Sequence, residues 1–295
     1  MGLINIFGKS KRCNKEQTVS DSMPDEENKA VYRKEDEGNS NPLLNILEEN
    51  LHNNVTKNKT MEEKKQEQQK NANGESAKVY NLIILDESGS MSDIYQEALT
   101  GVNETLQTIR MAKEDHPEQE HYVTLVAFDT EHYNEIYKGT PAGKAIDITP
   151  EQYRPGGCTP LYDAMGRAIS DLRNHLDYLA PSSNKEDSVV LVTVITDGYE
   201  NASSEYTGPA IKALIEEMRK KDWVFTYIGA NQDVEKVAES MSINNRMSFR
   251  STSEGTQDMF AKERMARKKF FGKFSRISKG EMSREELDKD FFTDI

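Results

Sequence analysis

Three short stretches of this chain collect side chains that can hold a hard cation. Asp86-Glu87-Ser88-Gly89-Ser90 follows an apolar run, Gly156-Gly157-Cys158-Thr159-Pro160 opens a helical stretch, and Thr196-Asp197-Gly198 closes a second apolar run. Taken singly, each is ordinary. An Asp after a strand is a common turn former, Thr159-Pro160 is a good N-cap and first helical pair, and Thr-Asp-Gly makes a turn. Taken together, Asp86, Ser88, Ser90, Thr159 and Asp197 offer carboxylate and hydroxyl oxygens with no sulfur or imidazole. That is the ligand set of Mg²⁺, and Mn²⁺ fits it as well.

Hydrolysis would need more than a cation: a general base and help for the leaving group. The five histidines, at positions 52, 116, 121, 132 and 175, neither cluster in sequence nor match ligand spacing. His121 and His132 fall on one hairpin, where the two can approach each other. No Gly-x-Gly-x-x-Gly loop follows the first strand, which speaks against nucleotide binding. Cys158 beside a helix N-terminus reads either as a thiol with a depressed pKa or as a small loop residue.

The elements that must bring these residues together are legible as alternating runs. VYNLIILD (79–86), VTLVAF (123–128), VVLVTVIT (189–196) and WVFTYIG (223–229) are nearly continuous apolar runs of strand length, the mark of strands buried on both faces. Between them lie helical stripes: Ile94, Ala98, Val102, Leu106 and Ile109 in 93–113, then Leu161, Met165, Ala168, Leu172, Leu176 and Leu179 in 160–179. Further helices are expected over about 209–221, just after Asp233, and over roughly 254–272. Strand–helix alternation predicts an α/β fold with a parallel sheet covered on both faces. HYNEIYKG (132–139) follows its predecessor too closely for a crossover, so that pair is expected to be antiparallel. The expectation is a doubly wound sheet of about six strands with one antiparallel edge strand. The oxygen clusters then sit at the carboxyl ends of strands or at a helix N-terminus, the edge where open α/β sheets bind ligands.

The Asp-x-Ser-x-Ser, Thr and Asp-Gly elements, in this order, resemble the metal-ion-dependent adhesion site of von Willebrand factor A domains. The Gly-Gly-x-Thr-Pro-Leu form of the middle element, Gly156 to Leu161, is similar to that of bacterial members. The run also resembles small bacterial cytoplasmic members such as those of tellurite and toxic-anion resistance clusters. The resemblance covers about residues 78–275. It implies a Rossmann-like sheet with strand order 3-2-1-4-5-6, which sets the strand ending at Asp86 beside the one ending at Asp197. It also implies direct metal binding by Ser88 and Ser90, binding by Thr159 directly or through water, and water-mediated roles for Asp86 and Asp197.

Composition divides the chain. It has 295 residues, 35% hydrophobic and 30% charged, with net charge −13 from 51 acidic and 38 basic residues. That balance disfavours nucleic acid as a partner. Residues 1–77 read as a disordered polar arm, too poor in apolar groups to offset its ordering entropy. Within it, 42–51 has helical Leu spacing and is either a docking helix or a transient helix in a linker. A following domain over 78–275 and an acidic tail over 276–295 complete the division.

Two basic stretches stand out. Leu3-Ile4-Asn5-Ile6-Phe7 followed by Lys9, Lys11 and Arg12 could give weak peripheral membrane contact; Ile6 breaks the myristoylation pattern. Arg264-Met265-Ala266-Arg267-Lys268-Lys269-Phe270-Phe271 reads as a membrane, RNA or partner contact, or as a last helix whose aromatics pack while its lysines stay solvated.

Neither a secretory signal nor a transmembrane run is evident, and two cysteines, Cys13 and Cys158, suit a reducing compartment. The expected function is a cytoplasmic, Mg²⁺-dependent protein-binding module, not an enzyme, that captures a Glu or Asp of a partner protein. A metal-dependent, phosphohydrolase-like enzyme subunit and a surface adhesin are the alternatives.

Overall fold

The computed structural model describes residues 76–179 and 188–293. The polar arm up to residue 75, with the 42–51 helix, the Leu3–Phe7 motif and Cys13, lies outside the described residues. So does the end of the acidic tail.

Within the described residues six strands form one sheet in the order β3-β2-β1-β4-β5-β6. β1 (Ala77–Asp86) lies at its centre, between β2 (Gln119–Phe128) and β4 (Ser188–Thr196), parallel to both. β5 (Trp223–Gly229) and β6 (Asn245–Ser248) continue the parallel array. β3 (Tyr133–Pro141) runs antiparallel to β2 at the edge, as its short connection requires. The helices are α1 (Tyr95–Asp115), entered through a 3₁₀ turn over Gly89–Ile94, α2 (Leu161–Leu179), α3 (Gly208–Arg219), α4 (Val234–Ser240) and α5 (Ser253–Ser278).

Because strand side chains alternate, the sheet divides its apolar residues between two cores. Val79, Ile83 and Leu85 face α1 and α5 with Leu106, Phe260, Phe270 and Phe274. Leu82 and Ile84 face the other side with Met165, Ile169, Ile211 and Ile215 from α2 and α3. The α1–α5 contact is close at Gly101, where a Cβ would lie 2.1 Å from the Phe260 ring. A side chain there would push the two helices apart.

The first core carries a polar seam. Asn81, Thr193 and Thr226 point into it from β1, β4 and β5, all buried. Arg267 of α5 answers them: it is 0% exposed and donates to Asn81 Oδ1 and Thr193 Oγ1, each at 2.8 Å. Its charge is matched one turn away by Glu263, also 0% exposed, at 2.6 Å, and Thr105 of α1 donates to the other Glu263 oxygen at 3.2 Å. Thus the basic stretch 264–271 is a packed helix. Phe270 and Phe271 are buried and Lys268 is exposed as a solvated face would have it, but Arg267 belongs to the interior.

The acidic segment beyond 276 is not simply solvated. Leu287 and Phe291 enter the first core. The segment crosses the amino ends of the strands: Arg284 donates to Ser188 O at 2.6 Å and pairs with Asp222 at 3.0 Å, while Asp288 accepts from Asn245 at 2.8 Å and pairs with Arg219 at 2.8 Å. Leu287 and Phe291, set among many charges, mark no helical period, because this segment packs without a long helix.

Breaking a buried ion pair from one side leaves a charge with no partner. Arg267→Met, which roughly keeps volume but strands Glu263, is expected to cost about 3–5 kcal/mol. Adding Glu263→Leu is expected to return a substantial part of that loss. Urea unfolding of the single and double variants measures both, and a double variant as unstable as the single would show that charge pairing is not what this interior requires.

Candidate functional site

All five residues singled out by type reach one end of the sheet. β1 delivers Asp86 and β4 delivers Asp197, beside each other where the chain order reverses. The loop before α2 brings Thr159. Three connecting loops are tied pairwise by hydrogen bonds. Gly89 N donates to Gly157 O at 3.1 Å and Gly156 N to Glu87 O at 2.8 Å, joining the first loop to the second. Thr159 N donates to Asn201 Oδ1 at 2.8 Å and Asn201 N to Thr159 O at 3.1 Å, joining the second to the third. Thr196 Oγ1 donates to Asp86 Oδ2 at 2.6 Å and Ser90 Oγ to Asp197 Oδ1 at 2.5 Å, closing the triangle.

The local sequence explains these placements. Asp86 follows the apolar stretch Leu82–Leu85 at the end of β1 and turns its carboxylate back on the loop, where Oδ1 accepts the Ser88 N–H at 2.7 Å. Ser88 Oγ then lies 3.2 Å from Ser90 Oγ. Gly157 has φ +62°, a conformation glycine adopts without steric cost, and this lets its carbonyl meet Gly89. Tyr153, fully buried, donates to Asp86 O at 3.0 Å and stacks on Tyr95, fixing the strand end from below. Glu87, also buried, accepts from Arg154 N and ties the same loop sideways.

Asp86, Ser88, Thr159 and Asp197 are buried while Ser90 is exposed, so the cluster opens to solvent on the Ser90 side. Burial pushes the Asp86 carboxyl up to about 6, against the opposing pull of its hydrogen bonds from Thr196 and Ser88, and the Asp197 charge adds to the rise. Both Asp86 oxygens already accept a hydrogen bond.

The donor set suits a hard divalent cation: two carboxylates and three hydroxyls. Space suits it too. A Cβ on Gly198 would lie 3.5 Å from Ser90 Oγ and 3.6 Å from Thr159 Oγ1; the missing side chain leaves that space to two hydroxyls from different loops. Among the described residues no three His, Cys, Asp or Glu side chains gather as a metal site. A site of this kind, mostly hydroxyl, is built outside that pattern.

Other readings resolve differently. His121 and His132 do not approach: Tyr122 pairs with Pro141 at one end of the hairpin and Phe128 with Tyr133 at the other, so the two histidines sit at opposite ends. His121 is buried beside Phe271 and burial lowers it to about 3, whereas His132 is raised by its contact with Asp129, 3.2 Å away. Cys158 is a free, exposed thiol. Three residues absent from the sequence reading touch the Asp197–Gly198 turn. Asn231 Nδ2 donates to Asp197 O at 3.1 Å, Gln232 Nε2 to Gly198 O at 3.0 Å, and Ser251 Oγ to Asp197 Oδ2 at 3.2 Å. Asn231 and Gln232 follow β5, itself a strand ending at this edge, and that position was the available signal. Ser251 lies in a run of Ser and Thr with no spacing to mark it.

The family model for the von Willebrand factor type A domain matches residues 82–262. No curated protein matches the chain. Similar solved structures include manganese-loaded TRAP protein from Plasmodium vivax, 16% identical with a TM-score of 0.41, covering 62% of this chain and 72% of that one. The SpRpn10 VWA domain is 13% identical with a TM-score of 0.41, covering 62% of this chain and 94% of that one. The pilus adhesin SpaC from Lactobacillus rhamnosus GG is 12% identical with a TM-score of 0.43, covering 65% of this chain and 31% of that one.

Asp86 makes stability depend on pH in a definite direction. Between its ordinary 3.8 and about 6, the folded chain keeps a proton that the unfolded chain has released, so this contribution falls as pH rises through that window. The difference is on the order of 3 kcal/mol. In chelator, Asp86→Asn is expected to gain stability relative to the parent as pH goes from 4 to 7. Urea unfolding across that range measures the difference, and a gap between the two proteins that stays constant with pH would refute the assignment.

Proposed function

Because this chain belongs to the von Willebrand factor type A domain family, we propose that the carboxyl edge of its sheet holds a divalent cation and, with it, captures an acidic side chain of a partner protein. Domains of this family commonly mediate metal-dependent protein interactions, mostly as adhesion or interaction modules, so the reading is one of binding rather than turnover. The observation that carries it is the convergence at Ser90: its hydroxyl lies 3.2 Å from that of Ser88 and 2.5 Å from Asp197, and it borders the space over Gly198 that Thr159 borders from the other side.

Ser88 and Ser90 would hold the ion directly, Thr159 directly or through water, and Asp86 and Asp197 through water, in keeping with the two hydrogen bonds Asp86 already accepts. Mg²⁺ is the ion proposed, with Mn²⁺ its substitute. Held mainly by neutral hydroxyls, the cation would keep much of its charge for an anionic oxygen from outside. Exposure of Ser90 gives a partner's Glu or Asp its approach. No helix of the described residues is long and apolar enough to cross a membrane. The setting proposed is a cytoplasmic assembly, supported by the free thiol of Cys158, which suits a reducing compartment.

Calorimetric titration of the full chain with Mg²⁺ is expected to give one site, weakened at least tenfold by Ser88→Ala with the fold unchanged by circular dichroism. Affinity capture from the native cell is expected to recover a protein partner in Mg²⁺ and to lose it in chelator. Capture that survives both chelator and Ser88→Ala would end the reading.

A further inference from the structure

The Asp197–Gly198 turn is held from behind by groups that are not candidate ligands. Asn231 and Gln232 fix its two carbonyls. Asn231 does so at φ +56°, in the left-handed region that Asn tolerates better than most residues. Gln232 is in turn fixed by the hydroxyl of buried Tyr227, 3.2 Å from its Oε1. With the main chain fixed, the freedom left to Asp197 is rotation of its side chain. Ser90 restrains Oδ1 at 2.5 Å and Ser251 restrains Oδ2 at 3.2 Å. Ser90 is itself a candidate ligand. Among the described residues Ser251 is therefore the side-chain restraint on Asp197 that stands outside the ion's own shell.

The loop that carries Ser251 is well anchored. Phe249 N donates to Gly229 O at 3.0 Å, and Thr252 caps α5 by accepting from Gly255 N at 3.2 Å. Gly255 packs so closely on this loop that a Cβ there would lie 2.3 Å from Arg250 O. Ser251 thus has a fixed origin two residues before a 26-residue helix.

We propose that Ser251 is a positioning residue for the cation, locking the Asp197 carboxylate in the rotamer that turns Oδ1 toward Ser90. It does not touch the ion; it removes the alternative orientations in which Asp197 would point away. This rests on the metal-binding reading above. A group hydrogen-bonded behind a direct metal ligand typically changes affinity by about 10–100-fold, and the effect of Ser251 should lie at the lower end, since Asp197 acts through water and keeps its bond to Ser90.

The test is calorimetric titration of the full chain with Mg²⁺ alone, beside the melting temperature of each protein in chelator. Ser251→Ala is expected to weaken Mg²⁺ about tenfold and leave the chelated melting temperature unchanged; Ser251→Thr, which keeps the hydroxyl, is expected to restore affinity. If Ser251→Ala binds Mg²⁺ like the parent while Asp197→Ala does not, the positioning role is wrong and the metal site stands. A fall in melting temperature that accounts for the lost affinity, unrescued by Thr, makes Ser251 merely structural and overturns the proposal. Parent-like binding by Asp197→Ala removes the metal-binding reading and the proposal with it.

Discussion

A carboxylate with no exposed surface sits at the end of the central strand, and the loops around it are arranged to make that tolerable. Asp86 can keep its place only because the Ser88 N–H and the Thr196 hydroxyl supply what water would have supplied, since a buried charge without such partners costs several kcal/mol. One donor lies in the loop after β1 and the other ends β4, so satisfying Asp86 also ties the end of β1 to that of β4. Ser88, once its N–H is committed to Asp86, has its hydroxyl directed toward Ser90, and Ser90 reaches Asp197 across the switch point. The geometry of the whole edge follows from one buried acid. Burial still holds its carboxyl above the ordinary carboxylate range, and a nearby positive charge would draw it back down.

The opposite problem is solved in the interior beneath α5. There the charge is Arg267, and its partners are all supplied from within: Glu263 on its own helix, Asn81 and Thr193 from the sheet. Nothing is left for an outside ligand. Asp86 and Arg267 therefore differ in kind. Arg267 is closed by an opposite charge and fixes how α5 lies on the sheet; Asp86 lies at the edge of the sheet with hydrogen-bond donors and, among the described residues, no cationic side chain paired with it. Burial is common to both; the completeness of the partners is what separates them.

Much of this was legible before any coordinates. The long apolar runs 79–86, 189–196 and 223–229 became β1, β4 and β5 because a strand covered on both faces has no polar side to interrupt it. The candidate site was legible for a related reason: polar oxygen donors placed directly after such runs have few positions to occupy other than the sheet edge. What escaped was set by tertiary context. β6 is four residues, Asn245-Arg246-Met247-Ser248, too short and too polar to show a period. Nothing in the basic run 264–271 set Arg267 apart, because Asn81 and Thr193, its reason for being buried, lie far away in sequence and inside largely apolar strands. Ser251 was invisible because its partner is chosen by the packing of β6 against β5, not by local spacing.

The crossing segment after α5 has a geometric consequence. Arg284 and Asp288 fasten it to Ser188, Asp222 and Asn245, at or just before the starts of β4, β5 and β6, and β1 likewise begins at that end with Ala77. The chain thus enters and leaves this domain at one pole, while Ser90 lies at the other, about 30 Å away along a ten-residue strand. Tension applied through Ala77 or through the segment after α5 acts on the far side from the mouth of the cluster. The described domain is thus gripped at one end and carries its cluster at the other, like a hook whose eye and point face opposite ways.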